Sequence, residues 1–180
     1  MSPLTLPVGE RDHAQGPADA PVTLVEYGDY ECPYCGQAYP IVKAVQARFG
    51  DRVRFVFRNF PIENAHPHAV HAAEAAEAAG AQGRFWEMHD RLFEHQRHLA
   101  DGDLVEYALA EGLDGSRFAE DLTEHRFADR VREDFMSGVR SGVNGTPTFF
   151  VNGRRHDGAW DAEHLGAAIA SVLDGQAAMG

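Results

Sequence analysis

Residues 22–49 constrain the fold more than any other stretch of the chain. Val22-Thr23-Leu24-Val25-Glu26-Tyr27 is largely apolar and β-branched, and reads as a central strand buried on both faces. A short turn, Gly28-Asp29-Tyr30-Glu31, then delivers Cys32-Pro33-Tyr34-Cys35 to the start of a helical pattern that continues to Phe49. No other cysteine occurs in the sequence. A helix start presents unpaired backbone N–H groups and the positive end of the helix dipole, so a thiolate is stabilised there. Two intervening residues bring the sulfurs within bonding reach, and Pro33 suits a first helical turn because its missing N–H removes no helical bond. Cys32, at the helix start, is expected to be accessible and nucleophilic, with Cys35 as the resolving thiol. A structural disulfide, or half of a metal site, is the bland alternative.

With a late Thr146-Pro147 ahead of a second strand, this pattern resembles the thioredoxin superfamily. Gly16-Pro17-Ala18-Asp19-Ala20-Pro21, the Glu26-Tyr27-Gly28-Asp29-Tyr30-Glu31 approach to the cysteines, and Gly145-Thr146-Pro147-Thr148-Phe149-Phe150-Val151-Asn152-Gly153 resemble its DsbA-like branch. The likeness covers about residues 9–173 and is close to the soluble thioredoxin-like domain attached to some bacterial sodium/proton antiporters. The fold class it implies is α/β, a thioredoxin-like fold with an inserted helical subdomain. It also implies a thiol-disulfide oxidoreductase in which the Thr146-Pro147 bond is cis and leaves backbone free to pair with an extended peptide. Pro33, Tyr34, Thr146 and Pro147 would then bind substrate. An acid stands at the place of Glu26 in the family pattern, which makes Glu26 a candidate proton acceptor for Cys35. A solvated glutamate is the other reading of that residue.

DsbA itself has a histidine where Tyr34 stands, and that histidine helps hold the thiolate. Here the help is missing, while Asp29 and Glu31 add negative charge beside Cys32. The pair is therefore expected to be less oxidising than DsbA, and to reduce rather than oxidise. Protein or peptide thiols and disulfides are the expected partners, with glutathione or a thioredoxin-type reductant as candidate electron partners. No bound cofactor is expected beyond the redox-active disulfide. A non-catalytic peptide-binding module of the same fold, or a glutathione-dependent transferase or isomerase, are the alternatives.

A formal charge of −12 disfavours nucleic acid and anionic membranes as partners. Residues 1–10 show neither a basic region nor an apolar core of signal-peptide type, and no apolar run reaches the ~20 residues that span a bilayer. If Met1 is the natural start, a cytoplasmic location is expected, where a Cys-x-x-Cys pair is more often catalytic than structural.

Residues 1–16 read as an arm in which Leu4-Thr5-Leu6 could add an edge strand, and 17–63 as the first half of the core. Pro40 interrupts the helix after the cysteines, and Val53, Phe55 and Phe57 alternate along the next strand. Residues 64–140 read as a helical insertion: Pro67–Ala79 with Glu74 and Glu77 outward, Arg84–Glu94, Asp103–Glu111, Ser116–His125, and Phe127–Ser141 carrying Val131, Phe135 and Val139 inward. The core resumes over 141–174, with strand Thr148–Val151, an Asn152-Gly153 hairpin, a return strand Arg154–His156, and a helix from Asp161 to Leu173. Gly175 is expected to end that helix and leave 175–180 as a tail.

His66, His68 and His71 cluster near a helix start. Three solvated histidines is the preferred reading and no metal is assigned, although the i,i+3 spacing of His68 and His71 can bind one. His89, His95 and His98 are expected at the surface. Tyr30, Tyr34, Tyr39 and Trp160 stay open between an apolar rim for peptides and core.

Overall fold

The apolar run after Pro21 forms strand β2 (Val22–Gly28), and the alternating run after Arg52 forms β3 (Val53–Asn59), in a computed structural model that describes residues 2–180. In chain order the elements are β1 (His13–Gln15), β2, α1 (Pro33–Phe49), β3, α2 (Ala69–Gly80), α3 (Phe85–Glu94), α4 (Asp101–Ala110), α5 (Gly115–Thr123), α6 (Ala128–Arg140), β4 (Thr148–Val151), β5 (Arg154–Arg155) and α7 (Ala162–Met179). They sort into two units. One comprises residues up to Tyr27, Gln37–Arg58 and Ser137–Gly180, and the other Gly28–Gly36 and Asn59–Met136.

The first unit is built on a sheet of order β1-β3-β2-β4-β5. β1 runs antiparallel to β3, β4 antiparallel to β2, and β5 antiparallel to β4. β2 and β3 occupy the centre, joined through the α1 crossover, and both are buried along nearly their whole length. Branched and aromatic side chains suit such strands because they fill the space on both faces. In the hairpin between β4 and β5, Asn152 and Gly153 have φ of 45° and 78°. Two successive positive φ values define the turn whose twist matches antiparallel strands, and Asn-Gly is the pair that adopts it at least cost. On α7, Leu165, Gly166 and Ile169 are buried. A Cβ at Gly166 would stand 2.6 Å from a guanidinium nitrogen of Arg48 on α1, so the absent side chain is what allows this approach.

The arm differs from its expectation. Its strand is His13–Gln15, on the β3 edge, and not Leu4-Thr5-Leu6. The earlier residues reach the other side of the sheet, where Pro3 forms a bridge with Arg154 and the Leu4 N–H donates to Gly153 O at 2.8 Å. Between these points lies an ion pair. Arg58 is 0% exposed, with Nε and Nη2 on the two Asp12 oxygens at 2.9 and 3.0 Å, Nη1 on Leu6 O and Tyr27 Oη, and Nη2 also on Pro7 O. Burial pulls the guanidinium pKa down, but the bonds to Asp12 and Tyr27 outweigh it and hold the group above its ordinary value.

The C-terminal helix also departs from its expected end. α7 runs through Gly175 to Met179, so 175–180 is not a tail. A single helical glycine costs about 1 kcal/mol relative to alanine. That is too little to stop a helix flanked by Gln176 and two alanines, and Gln176 Nε2 donates to Pro21 O at 3.0 Å.

The second unit is helical. α2 touches α3, α4 and α5, and seven of its alanines are buried. Small side chains let neighbouring helices approach closely, which explains an alanine-rich helix enclosed on most of its surface. Glu74 and Glu77, expected outward, are 2% and 4% exposed. Glu77 meets Arg130 at 3.4 Å and accepts from Asn59 Nδ2, so its burial is compensated by partners distant in sequence. Asp134 accepts the Asn59 N–H at 2.9 Å and pairs with Arg130. Burial nonetheless raises its pKa, against the opposing pull of Arg130. On α6 the buried positions are Val131, Asp134, Ser137 and Gly138, while Val139 is 45% exposed. Of the expected Val131-Phe135-Val139 stripe, Val131 is buried and Phe135 stacks on Phe60 with ring centroids 4.3 Å apart, and Val139 alone lies outward.

Candidate active site

β2 ends at Gly28, whose carbonyl accepts the Phe60 N–H at 2.7 Å, and the chain turns at Asp29. Asp29 organises that turn. Its Oδ1 accepts the Glu31 N–H at 2.8 Å, its Oδ2 meets the Ile62 N–H at 2.9 Å and His66 Nδ1 at 2.7 Å, and its carbonyl accepts the Cys32 N–H at 3.1 Å. Aspartate favours such a turn because its short side chain can bond backbone two residues on. Cys32 then stands immediately before α1. Its carbonyl accepts the Gly36 N–H at 3.1 Å, the first bond of the helix, and Cys35 lies one turn in. The Asp29 N–H points back at Cys35 Sγ, 3.4 Å away.

Cys32 is 3% exposed and Cys35 0%. The expectation of an open Cys32 sulfur is thus corrected: the helix start is present, but the turn around it is covered. Pro33 and Tyr34 form the open rim, Tyr34 at 61% exposure. Tyr30 belongs to the core, with its hydroxyl on His89 Nδ1 at 3.0 Å and its ring 4.8 Å from that of Phe93. His89, expected at the surface, is 3% exposed for this reason, whereas His95 and His98 are exposed as expected.

Three supporting residues escaped the sequence reading. His66 and His68 each grip one acid of the cysteine turn, His66 on Asp29 and His68 on Glu31 through both its N–H and Nδ1. His71 turns away to Asp101. The three histidines therefore do not form one cluster, and two of them brace the site. The alternation His66-Pro67-His68 beside two acids near the cysteines was the only available signal. Gln96 is the third, donating from Nε2 to the carbonyls of Tyr30 and Cys32, both at 2.9 Å. A Cβ on Gly36 would lie 2.1 Å from Gln96 Oε1. Gly36→Ala should therefore displace the glutamine and lower stability by about 1 kcal/mol, two lost bonds outweighing the better helix propensity. Urea unfolding checks this, and in a Gln96→Ala background the same substitution should be neutral or stabilising. A loss of the same size in both backgrounds would exclude Gln96 as the cause.

The remaining expected residues lie in the sheet-bearing unit. Glu26 is in the central strand β2, opposite Phe149 of β4, and is 2% exposed. The solvated alternative for it is excluded. The Thr146–Pro147 bond is cis and immediately precedes Thr148, the β4 residue that pairs with Tyr27.

A family model described as Thioredoxin matches residues 9–171. The chain belongs to the thioredoxin family. Among solved structures, this thioredoxin-family chain is similar to BdbD from Bacillus subtilis, in its oxidised form, with a TM-score of 0.82 and 29% identity over 89% of this chain and 92% of that one. It is also similar to a thioredoxin-like oxidoreductase from Silicibacter pomeroyi DSS-3, with a TM-score of 0.81 and 26% identity over 92% and 94% of the two chains. The helices placed between β3 and β4 give it a DsbA-like fold, similar to that of α-DsbA1 of Wolbachia pipientis, with a TM-score of 0.78 and 19% identity over 94% of each chain. Among curated relatives, 173 residues are 53% identical to the Na(+)/H(+) antiporter NhaA 1 of Salinispora arenicola, covering 96% of this chain and 26% of the antiporter. The chain thus spans about a quarter of the length of the curated relatives it matches. Among the described residues, no helix is long and apolar enough to cross a membrane. The thioredoxin-like fold together with the Cys32–Cys35 pair supports thiol-disulfide oxidoreductase chemistry.

Proposed function

We propose that the chain reduces disulfides in proteins or small dithiols through Cys32 and Cys35. The Cys32 thiolate attacks one sulfur of a substrate disulfide, forming a mixed disulfide and releasing the other sulfur as a thiolate. Cys35 then attacks Cys32 Sγ, the second substrate sulfur leaves with the electron pair and takes up a proton, and the chain is left oxidised. Two electrons pass to the substrate. An external thiol, glutathione or a thioredoxin-type reductant, restores the dithiol, so no bound cofactor is needed.

The observation that carries this reading is the placement of Cys32 at the cap of α1 with Cys35 one turn in, beneath the Asp29 N–H. The helix start favours charge on Cys32, and the Asp29 donor favours charge on Cys35 at the step that requires it. Glu26, buried in the central strand, is the residue we assign to accept the Cys35 proton. Thr146 and Pro147 would present backbone to an extended substrate, and Pro33 and Tyr34 its exposed rim.

The reducing direction rests on charge. Asp29 and Glu31 are fixed in the turn that carries Cys32, each held by a histidine nitrogen, and Tyr34 adds no positive charge beside the sulfur. Such a direction would suit a reducing compartment. It is tested by equilibrating the protein in graded glutathione buffers and separating the two states by alkylation. A potential at or below about −220 to −260 mV, the glutathione couple of a reducing cytosol by extraction, is expected. A value near about −120 mV, as for a strong oxidant, would overturn the direction while leaving the exchange chemistry in place.

A further inference from the structure

In the helical unit, away from the cysteines, His71, Glu74 and His125 bring one ligand atom each within 4.8 Å of one another. His71 and Glu74 are three residues apart on α2 and so share a face. His125 follows α5. Its Nδ1 stands 3.1 and 3.3 Å from the two Glu74 oxygens, and its ring lies 5.4 Å from that of His71.

We propose that these three residues bind a divalent transition-metal ion of the zinc class. The donor set of two imidazoles and one carboxylate is among those zinc takes, and ligand bonds of about 2.0–2.2 Å place donor atoms about 3.3–3.6 Å apart in a tetrahedron. The His125–Glu74 separation already has nearly that value, and small side-chain rotations bring His71 in. Three further features of the site fit. Asp101 Oδ1 holds His71 Nδ1 at 2.8 Å, leaving Nε2 for the ion, in the carboxylate–histidine arrangement that orients metal-bound imidazoles. Glu74 is 2% exposed, and both its oxygens face the same imidazole nitrogen, so a buried negative charge is aimed at the site. A cavity of about 260 Å³, lined by His71, Asp101, Val105, Leu122 and His125 among others, adjoins the donors and gives an entry path and room for water at the fourth position.

The backbone at His125 adds an independent argument. The Arg126 N–H returns to Asp121 O and the His125 N–H to Leu122 O, closing α5 with His125 at φ 49°. Glycine is the usual residue at such a helix end because it alone takes positive φ without strain. The histidine at that position delivers its ring to Glu74.

The test uses the full chain carrying Cys32→Ser and Cys35→Ser, so that thiolates cannot bind the probe. Zinc is titrated against a chromophoric chelator, and thermal unfolding is followed with and without the ion. One equivalent is expected to bind and to raise the unfolding midpoint. His125→Gly, which suits the backbone and should preserve the fold, is expected to weaken binding at least a hundredfold and to remove the thermal shift, with His71→Ala and Glu74→Gln each weakening it at least tenfold. His98→Ala, at an exposed histidine outside both sites, should leave binding unchanged. Absence of a one-equivalent site, or equal affinity in the His125→Gly protein, would overturn the proposal. Neither result bears on exchange at Cys32, which is measured separately in the unsubstituted chain.

Discussion

Cys32→Ser should leave disulfide exchange at the level of buffer thiols, whereas Cys35→Ser should keep the first attack and stop there. The asymmetry follows from position. Cys32 caps the helix and adjoins the exposed Pro33–Tyr34 rim, while Cys35 is fully buried one turn in, its sulfur under the Asp29 N–H. A serine hydroxyl is a poor nucleophile without a general base and forms no stable bond to sulfur. A protein lacking Cys35 should accumulate as a covalent adduct with a disulfide substrate, because the second thiolate that resolves it is gone. Mass spectrometry of the adduct locates the bond, and it should be at Cys32. An adduct at Cys35 in the Cys32→Ser protein, or undiminished turnover in either variant, would reverse the assignment of roles.

The second large effect belongs to stability. Removing either partner of the Arg58–Asp12 pair should cost about 3–5 kcal/mol, because the survivor becomes a buried charge without its counter-ion. Both side chains are essentially inaccessible, at 0% and 3% exposure, so water cannot replace the lost partner. Domains of ordinary size have only ~5–15 kcal/mol in total, so Arg58→Met or Asp12→Ala should move the urea midpoint far toward the native baseline. The double variant should recover part of the loss, since it leaves neither charge stranded. A single-variant loss below about 1 kcal/mol would show that water reaches the pair after all.

Much of this molecule could be read before its structure. Cys32–Cys35 at a helix start, the buried run at Val22 and the strand Thr148–Val151 are local patterns, in which composition and spacing within ten residues decide the outcome. What escaped depends on partners far along the chain. Arg58 ends a strand that alternates charge with bulk, which argues for an outward arginine, and only the returning arm supplies the Asp12 that buries it. Glu74 and Glu77 lie on a helix whose alanines offer little contrast between faces, so nothing local says that three other helices enclose it. His89 and His66 look alike in the sequence as histidines near helices. Tyr30 draws the first into the core and Asp29 the second onto the cysteine turn. The covering of Cys32 is of the same kind, because exposure is a property of everything packed around a position.

The path of the arm has a consequence for how copies of this chain meet. A sheet of five strands has two outer margins, each a row of backbone groups able to pair with a strand of another molecule. Here a single stretch of fewer than sixteen residues tends both, with three residues of β1 at one margin and the bridge from Pro3 at the other. Each covering is blunt in its own way. A three-residue strand is too short to template a long one, and a proline has no N–H to offer a newcomer. The same few residues that shield Arg58 thereby discourage strand-to-strand association at crowded concentrations, and their loss would expose both margins together.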